Sequence, residues 1–335
     1  MYPFTLNTSR TRPCGRLLPL QTPLSKSLRI ALLYNTWLGR LLLKLPITWW
    51  LLTQEHKRIA AYANSPKSKG KIKPFIKSYR IGMDDSARSV EEFKTLQARV
   101  WADGAGQKNP VVQGGYRYAR DFFTRELKPG ARPIAEPGNP NVAVHPADSR
   151  VVVFPSVSSA KKLWIKGKGF NVPSLLGPGY DPAEWRELSP ADCHRLHAPV
   201  TGRVAKITRR GDRFMSSMWV AVHSSLDVMV ENERLIMEFE TDAFGPVVMV
   251  AIGASDVGTV QPLVKEGAAV TKGDEAAVFE FGGSIMATVF RPGSIEFDKD
   301  LLQHTARHCE TRALLGTSLG RATRPAAAPA GRAVE

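Results

Sequence analysis

The pattern of hydrophobic and polar positions changes along the chain from helical to strand-like spacing. Between residues 75 and 127, apolar positions such as Val90, Phe93 and Leu96 recur every three or four residues, which predicts helix. The stretch 101–115 is looser and contains glycine, which predicts a loop or an insertion. From Val142 onward, short runs rich in valine and isoleucine alternate with turn residues, which predicts strands. These runs are 151–154, 203–207, 218–222, 247–252 and 277–281.

This pattern predicts an α+β fold that is mainly β, with N-terminal membrane-associated helices followed by a β-rich, barrel-sandwich-like domain. Segments 198–204 and 264–274 look like the two halves of the barrel-sandwich hybrid seen in lipoyl and biotinyl carriers. Those carriers present a lysine at an exposed tip, typically within Met-Lys-Met. No such tip occurs in this sequence, which argues against a carrier role.

Five parts are expected along the chain. They are 1–58, a basic targeting or membrane-associated segment; 59–73, a linker; 74–141, a helical region with an insertion near 98–118; 142–316, the β-rich domain; and 317–335, a disordered tail. The linker is predicted from its polar, basic composition with Pro66 and Gly70. The tail is predicted from its alanine, proline and arginine content without a periodic apolar face.

The N-terminal segment combines basic and apolar residues. Arginine and lysine recur before the first acidic residue, Glu55, a bias typical of organellar targeting segments. Residues 30–52 are rich in leucine, isoleucine and tryptophan, but basic residues and Pro46 interrupt them, whereas a spanning helix needs roughly 18 uninterrupted apolar residues. We expect an interfacial helix with Trp37, Trp49 and Trp50 at headgroup depth. The alternative is an amphipathic helix packed on the protein's own core.

Charge and cysteine content narrow the functional classes. A formal net charge of +15 implies attraction to nucleic acid or to an anionic membrane surface. The sequence carries no RRM, zinc-finger or KH-type signature, and its aromatic residues are not interleaved with the basic ones, so we expect a membrane and no nucleic acid. Cys14, Cys193 and Cys309 are odd in number and widely spaced, which indicates neither a disulfide framework nor a cysteine zinc site.

Three places could carry chemistry: Pro146-Ala147-Asp148, His194-Arg195-Leu196-His197 and Gly282-Gly283-Ser284. Together they offer an acid, a base and a hydroxyl nucleophile, the combination that nucleophilic catalysis needs. Simpler interpretations stay open from the residues alone. The two histidines could be half of a metal site that lacks a third ligand, or structural residues. The Gly-Gly-Ser segment could be a turn after a strand.

Residues 121–134, Asp-Phe-Phe-Thr-Arg-Glu-Leu-Lys-Pro-Gly-Ala-Arg-Pro-Ile, resemble the signature that precedes the catalytic domain of phosphatidylserine decarboxylases. Further segments resemble this family in the same order, from about residue 75 to 315. They are 146–148 (Pro-Ala-Asp), 165–167 (Ile-Lys-Gly), 175–177 (Leu-Leu-Gly), 194–199 (His-Arg-Leu-His-Ala-Pro), 226–228 with 231–232, 257–258, 281–284 (Phe-Gly-Gly-Ser) and 295–298. The departures from the family pattern are Ser149, Cys193, Ala198, Asp256 and Ile285.

The resemblance implies a protein that cleaves itself once, between Gly283 and Ser284. Ser284 would attack the carbonyl of Gly283 to form an ester, and elimination and hydrolysis would leave a pyruvoyl group derived from Ser284 and release ammonia. His197 would take the hydroxyl proton, and Asp148 would orient His197. A glycine before the serine lets the backbone bend into the attack geometry.

The resemblance further implies decarboxylation of phosphatidylserine to phosphatidylethanolamine through a Schiff base with the pyruvoyl group, with no metal or pyridoxal phosphate. His194 is expected to return a proton to the substrate carbon. Expected partners are phosphatidylserine, an anionic membrane surface and the two cleavage fragments, which remain associated. The expected location is the mitochondrial inner membrane, or alternatively an endomembrane. The functional alternatives are a pyruvoyl-dependent decarboxylase of a soluble amino acid and a noncatalytic membrane-binding relative.

Overall fold

The computed structural model describes a large part of the chain. The described residues are 14–15, 24–79, 84–86, 97–102, 108–113, 116, 118–154, 172–177, 189–191, 195–216, 221, 224, 226–255, 260–280, 284–307 and 309–323. Among them the helices are α1 (Leu24–Asn35), α2 (Trp37–Leu42), α3 (Pro46–Ala63), a 3-10 helix (Pro66–Lys71), α4 (Ile72–Tyr79), α5 (Ala119–Phe123), α6 (Val172–Leu176), α7 (Val228–Glu231) and α8 (Lys299–Ala306).

Strands dominate the second half of the chain. They are β1 (Cys14–Gly15), β2 (Gln97–Ala102), β3 (Lys108–Gln113), β4 (Val142–Val144), β5 (Ser149–Val151), β6 (Ser189–Ala191), β7 (Arg195–His197), β8 (Gly202–Arg210), β9 (Arg234–Thr241), β10 (Gly245–Ile252), β11 (Val260–Pro262), β12 (Ala269–Val270), β13 (Glu275–Phe279), β14 (Ser284–Phe290), β15 (Ile295–Phe297), β16 (Glu310–Ala313) and β17 (Ser318–Ala322). N-terminal helices followed by these strands confirm the predicted α+β, mainly β fold class.

A nine-stranded antiparallel sheet forms the centre of the β-rich domain, in the order β1-β16-β5-β6-β14-β10-β9-β8-β12. Strand β10 lies between β9 and β14. Because successive side chains of a strand point to opposite faces, Val247 and Met249 pack in one hydrophobic core, and Val248 and Val250 pack in a second. Burial on both faces explains why the sequence of β10 is continuously apolar.

The described residues also form two smaller sheets, β11-β13-β7 and β15-β17-β4, and the β2-β3 hairpin. Strand β12 pairs with β8, with Ala269 opposite Arg203 and Val270 opposite Gly202. The two segments that resemble halves of a barrel-sandwich hybrid are therefore direct neighbours. Gly202 also permits close packing of β8 on its other neighbour, β9, since a Cβ there would lie 2.2 Å from the carbonyl oxygen of Glu240 in β9.

Helices α1 and α3 pack against the β-rich domain through aromatic side chains. Tyr34 is buried. His56 stacks on Phe214 with 4.0 Å between ring centroids. The guanidinium of Arg213 lies 4.1 Å from the ring centroid of Trp49. One face of the N-terminal helices therefore packs on the protein itself. This agrees with the alternative prediction of an amphipathic helix packed on the protein's own core.

The opposite face of these helices is exposed and apolar. Trp37 is 73% exposed and Trp50 is 56% exposed. The other large apolar side chains exposed on α1, α2, α3 and the connection between α2 and α3 are Leu28, Leu32, Leu38, Leu41, Leu42, Leu45, Ile47 and Leu51. Within the described residues, no helix has the length and apolar character needed to cross a bilayer. Contact of this exposed face with a membrane stays a prediction, whereas packing of the other face on the protein is seen in the structure.

Two expectations about local order differ from the structure, and for a third, the insertion, the structure adds detail without contradicting it. Residues 59–73, predicted as a linker, continue α3 to Ala63 and then form the 3-10 helix and the start of α4. The expected insertion near 98–118 contains the β2-β3 hairpin. The tail predicted as disordered from residue 317 includes β17, which pairs with β15 and β4. Composition alone misses this strand because Leu319 is its one large apolar residue, and its order comes from pairing with β15 and β4.

The expectation for the cysteines also needs correction, because Cys309 is disulfide-bonded. Strand β1, which contains Cys14, pairs with β16, which begins directly after Cys309. Strand pairing brings distant parts of the chain together, so wide spacing in the sequence was a poor argument against a disulfide.

Candidate active site

His197 ends strand β7 and lies opposite Glu275 of β13. Its side chain is buried, with Nδ1 3.3 Å from the carbonyl oxygen of Pro146. The backbone N–H of His197 donates to the same oxygen at 2.8 Å. Because a carbonyl oxygen only accepts, the contact with Nδ1 requires the proton on Nδ1 and leaves a lone pair on Nε2. The backbone of Pro146 therefore orients the ring so that Nε2 can act as a base.

The electrostatic surroundings keep this ring neutral. Burial lowers the pKa of His197 below its ordinary value, because removal from water disfavours the imidazolium. The charges of Glu275 and Asp148 and the bond to Pro146 oppose this effect, and the charge of Arg195 adds to it. With the pKa lowered from 6.5, the ring is mostly unprotonated at neutral pH. His197 thus has the protonation state that a general base requires.

Asp148 is held mainly by Arg132. Nε of Arg132 donates to Oδ1 and Oδ2 of Asp148 at 2.9 and 3.1 Å, and Nη2 donates to Oδ2 at 2.6 Å. The N–H of Leu315 donates to Oδ1 at 2.9 Å. No hydrogen bond between Asp148 and His197 occurs in the described part of the chain. The orientation of His197 by Asp148 therefore stays a prediction, while Pro146 contacts the ring directly.

Ser284 is the first residue of β14, and its backbone pairs with Ala191 of β6. Ala191 pairs in turn with Ser149 of β5. These positions form one row across three adjacent strands, so two strand spacings, about 10 Å, separate Ser149 from Ser284. Since Ser149 directly follows Asp148, the sheet register brings the predicted acid segment close to the predicted cleavage position.

Ser149, which stands where the resembled family has glycine, has a buried hydroxyl without a hydrogen-bond partner in the described structure. Leaving a buried hydroxyl unpaired costs about 1–3 kcal/mol. This hydroxyl lies in the same row as Ser284 but two strand spacings away, which is too far for a direct hydrogen bond to Ser284.

The other predicted site positions divide into two groups. His194, Gly283, Cys193 and Asp256 lie outside the described residues. Ala198 and Ile285 are buried, and Ile285 packs in the second hydrophobic core. Both departures are thus apolar side chains in apolar surroundings.

A pocket lies beside His197, and most of its lining residues have no role that the sequence predicts. Its volume is about 240 Å³, and its lining residues are Arg125, Glu126, Leu127, Lys128, Gly130, Arg132, Arg195, His197, Glu275 and Leu315. Many of them belong to the segment 121–134, whose sequence indicates a family resemblance but no role for its individual residues. The cluster of basic residues in that segment is the one feature of the sequence that could have indicated a role in binding an anion.

Comparison with known proteins gives a consistent result. The sequence model described as phosphatidylserine decarboxylase matches residues 119–320. The chain is similar to a phosphatidylserine decarboxylase proenzyme of Chlamydia felis, with 31% identity over 304 residues, covering 87% of this chain and 91% of the relative. A proenzyme of the same name from Chlamydia pneumoniae is 33% identical over 260 residues, covering 76% of this chain and 78% of the relative.

Yeast relatives are similar over a comparable part of this chain. Phosphatidylserine decarboxylase proenzyme 3 of Schizosaccharomyces pombe is 35% identical over 269 residues, which cover 78% of this chain and 25% of the relative. The chain thus spans about a quarter of that relative, and also of proenzyme 2 from Komagataella phaffii, where the coverage is 24%.

Proposed function

The chain belongs to the phosphatidylserine decarboxylase family, and we propose that it cleaves itself between Gly283 and Ser284 and then converts phosphatidylserine to phosphatidylethanolamine and carbon dioxide. One observation carries this proposal: the neutral, buried His197 is tied through Pro146 to the segment 146–149, which shares a row of the sheet with Ser284. The relatives' designation as proenzymes supports a precursor that is processed.

The proposed cleavage uses residues of the chain alone. Nε2 of His197 accepts the hydroxyl proton of Ser284, and the hydroxyl oxygen adds to the carbonyl carbon of Gly283. The peptide C–N bond breaks as His197 returns the proton to the Ser284 nitrogen, and an ester forms. Elimination then removes the Cα proton of Ser284 and breaks its Cβ–O bond, which releases the Gly283 carboxylate and leaves an enamine. The enamine tautomerises to an imine, and water hydrolyses the imine to a carbonyl and ammonia. Arg132 pairs with Asp148 beside this site, and the charge of Asp148 favours the protonated form of His197.

A pyruvoyl group at Ser284 supplies the electron-accepting carbonyl that the loss of carbon dioxide requires. His194 returns a proton to the headgroup carbon from which the carboxylate has left, a task suited to imidazole near neutral pH.

A lipid substrate is favoured over a soluble amino acid by the exposed apolar face of the N-terminal helices. A soluble substrate needs no membrane contact, whereas a lipid headgroup stays at the bilayer surface. In the proposal, Trp37 and Trp50 enter the interface while Arg40 and Lys44 lie near anionic headgroups. We retain the mitochondrial inner membrane as the proposed location, on the basic composition before Glu55 alone.

Intact mass spectrometry of the purified protein beside Ser284→Ala tests the cleavage. We expect two fragments that meet at Gly283 and Ser284, with the C-terminal one blocked by pyruvoyl, and an uncut variant. Incubation of the cleaved protein with phosphatidylserine vesicles should release phosphatidylethanolamine, while free amino acids should yield no carbon dioxide. An uncut wild-type chain favours the noncatalytic membrane-binding relative, and release of carbon dioxide only from a free amino acid favours the soluble-substrate alternative.

A further inference from the structure

The pocket beside His197 carries more positive than negative side chains. Its basic lining residues are Arg125, Lys128, Arg132 and Arg195, and its acidic lining residues are Glu126 and Glu275. Such a pocket attracts anions, but its capacity to bind one depends on which cations are already paired with carboxylates.

Two of these cations are engaged by carboxylates. Arg132 makes the bidentate pair with Asp148 described above. Arg195 contacts Glu275 at 2.6 Å and Glu126 at 3.3 Å. Their charges are therefore largely balanced within the protein.

The other two cations have no carboxylate partner in the part of the chain that the structure describes. Arg125 donates from Nη1 to the carbonyl oxygen of Phe122 at 3.3 Å, and its guanidinium lies 4.8 Å from the centroid of the Phe122 ring. Nζ of Lys128 donates to the carbonyl oxygen of Asp84 at 2.8 Å. These neutral partners orient the two side chains without cancelling their charge, and each keeps donors for a ligand.

We propose that Arg125 and Lys128 form the subsite that binds the phosphodiester of the substrate headgroup, an inference that rests on the proposed function. The headgroup carries an ammonium, a carboxylate and a phosphodiester. The ammonium nitrogen reacts at the Ser284-derived carbonyl, and the carboxylate leaves as neutral carbon dioxide. The phosphodiester alone stays anionic throughout, so it is the group that a fixed cationic site can hold during the whole reaction.

The chemistry of the reaction argues against assigning these cations to the carboxylate. A cation bound to the departing carboxylate would stabilise the substrate more than the transition state, in which that negative charge is being lost, and would slow the reaction. Binding the remote phosphodiester instead positions the headgroup without this penalty. An arginine and a lysine together suit phosphate, the arginine by its forked donors and the lysine as a point charge.

The test uses self-cleaved protein with short-chain phosphatidylserine below its micelle concentration, so that binding to vesicles does not contribute. We expect Arg125→Gln and Lys128→Gln each to raise KM about tenfold, the effect of about 1.4 kcal/mol in binding, with kcat changed by less than about threefold. Arg125→Lys, which keeps the charge, should stay within about threefold of the wild-type KM. The matched control is Lys206→Gln, which removes an exposed positive charge outside the pocket and should leave KM unchanged.

Glycerophosphoserine, which retains the phosphodiester, identifies the bound group. It should bind the cleaved wild type in calorimetry and bind the Arg125→Gln/Lys128→Gln protein at least about tenfold more weakly. Equal binding by both proteins, or a wild-type KM in the double variant, overturns the subsite. Inorganic phosphate that binds as tightly as glycerophosphoserine overturns the assignment to the headgroup. Absence of phosphatidylserine turnover by the wild type instead refutes the proposed function, whatever the two cations bind.

Discussion

At the scale of single residues, His197 gives the most direct prediction. Burial lowers the pKa of its imidazole below 6.5, so the ring loses its proton at a lower pH than an exposed histidine does. A base works only when unprotonated. The rate of self-cleavage should therefore be constant above about pH 6.5 and fall only in more acidic solution, as the ring becomes protonated.

Cell-free synthesis of the precursor, followed by a shift to buffers between pH 5 and pH 8, allows this rate to be measured on denaturing gels. His197→Gln is the control, since it cannot accept the proton and should stay uncut at every pH. A wild-type rate that keeps rising from pH 7 to pH 8 would point to a base with a higher pKa.

Residues that act through sequence-distant partners were the hardest to predict. The acid, the base and the nucleophile could be proposed because their types and order resemble a family motif. The contact between His197 and Pro146 and the pairing of Asp148 with Arg132 could not, because both depend on how strands and loops meet in the fold. Ser149 was noticed only as a departure from the motif, and its register with Ser284 became visible in the sheet.

At the scale of elements, Arg234 of β9 connects two short helices to the sheet. Its Nε donates to Leu175 O at 2.6 Å and its Nη2 to Ser174 O at 3.1 Å, both on α6. Its Nη1 donates to the carbonyl oxygen of Val230 on α7. Burial lowers the pKa of Arg234 to about 10, so the side chain still carries its charge at neutral pH.

Arg234→Met should lower the free energy of unfolding by about 3–5 kcal/mol, because it leaves several buried carbonyl groups without donors. Urea denaturation measures this difference. The comparison variant is Arg203→Met, which removes an exposed ion pair with Glu240 and should cost less than about 1 kcal/mol. Similar losses in both variants would contradict the connecting role of Arg234.

Elements that are ordered by apolar burial could be predicted from the sequence, whereas elements that are ordered by hydrogen bonds could not. The run 247–252 lies within β10, because burial on both faces leaves a continuous apolar sequence. The run 203–207 lies within β8. By contrast, the mostly polar composition of residues 59–73 predicts a linker, although Ser68 donates to the carbonyl oxygens of Ala63 and Ser65 and holds the helical turns together. Such hydrogen bonds leave no mark on hydrophobic periodicity.

At the scale of the whole molecule, the N-terminal helices would determine how the β-rich domain meets a bilayer in the proposed membrane contact. Their aromatic residues Tyr34, Trp49 and His56 fix them to the domain, so the exposed apolar face has a defined position relative to it. The sequence indicated an interfacial segment but could not assign each tryptophan. Trp49 packs on Arg213, whereas Trp37 and Trp50 are exposed.

This geometry predicts which apolar residues contribute to membrane binding. Replacing Leu38 and Leu41 together by alanine should weaken binding to vesicles that contain anionic lipid by about tenfold or more, since each leucine loses apolar area that would enter the interface. Leu263 supplies a matched control, because it is 45% exposed, compared with 51% for Leu38, but lies in the β-rich domain. Leu263→Ala should bind like the wild type.

Sedimentation with vesicles at low and high salt separates the electrostatic contribution to this binding from the contribution of apolar burial. Raising the salt concentration screens the attraction between basic residues and anionic headgroups, so wild-type binding should weaken. The ratio between wild type and Leu38→Ala/Leu41→Ala should persist at high salt, because apolar burial is not screened. If Leu38→Ala/Leu41→Ala binds vesicles as well as Leu263→Ala does, the N-terminal helices do not present the membrane-contacting face. The basic charge of the molecule alone would then have to explain its attraction to lipid.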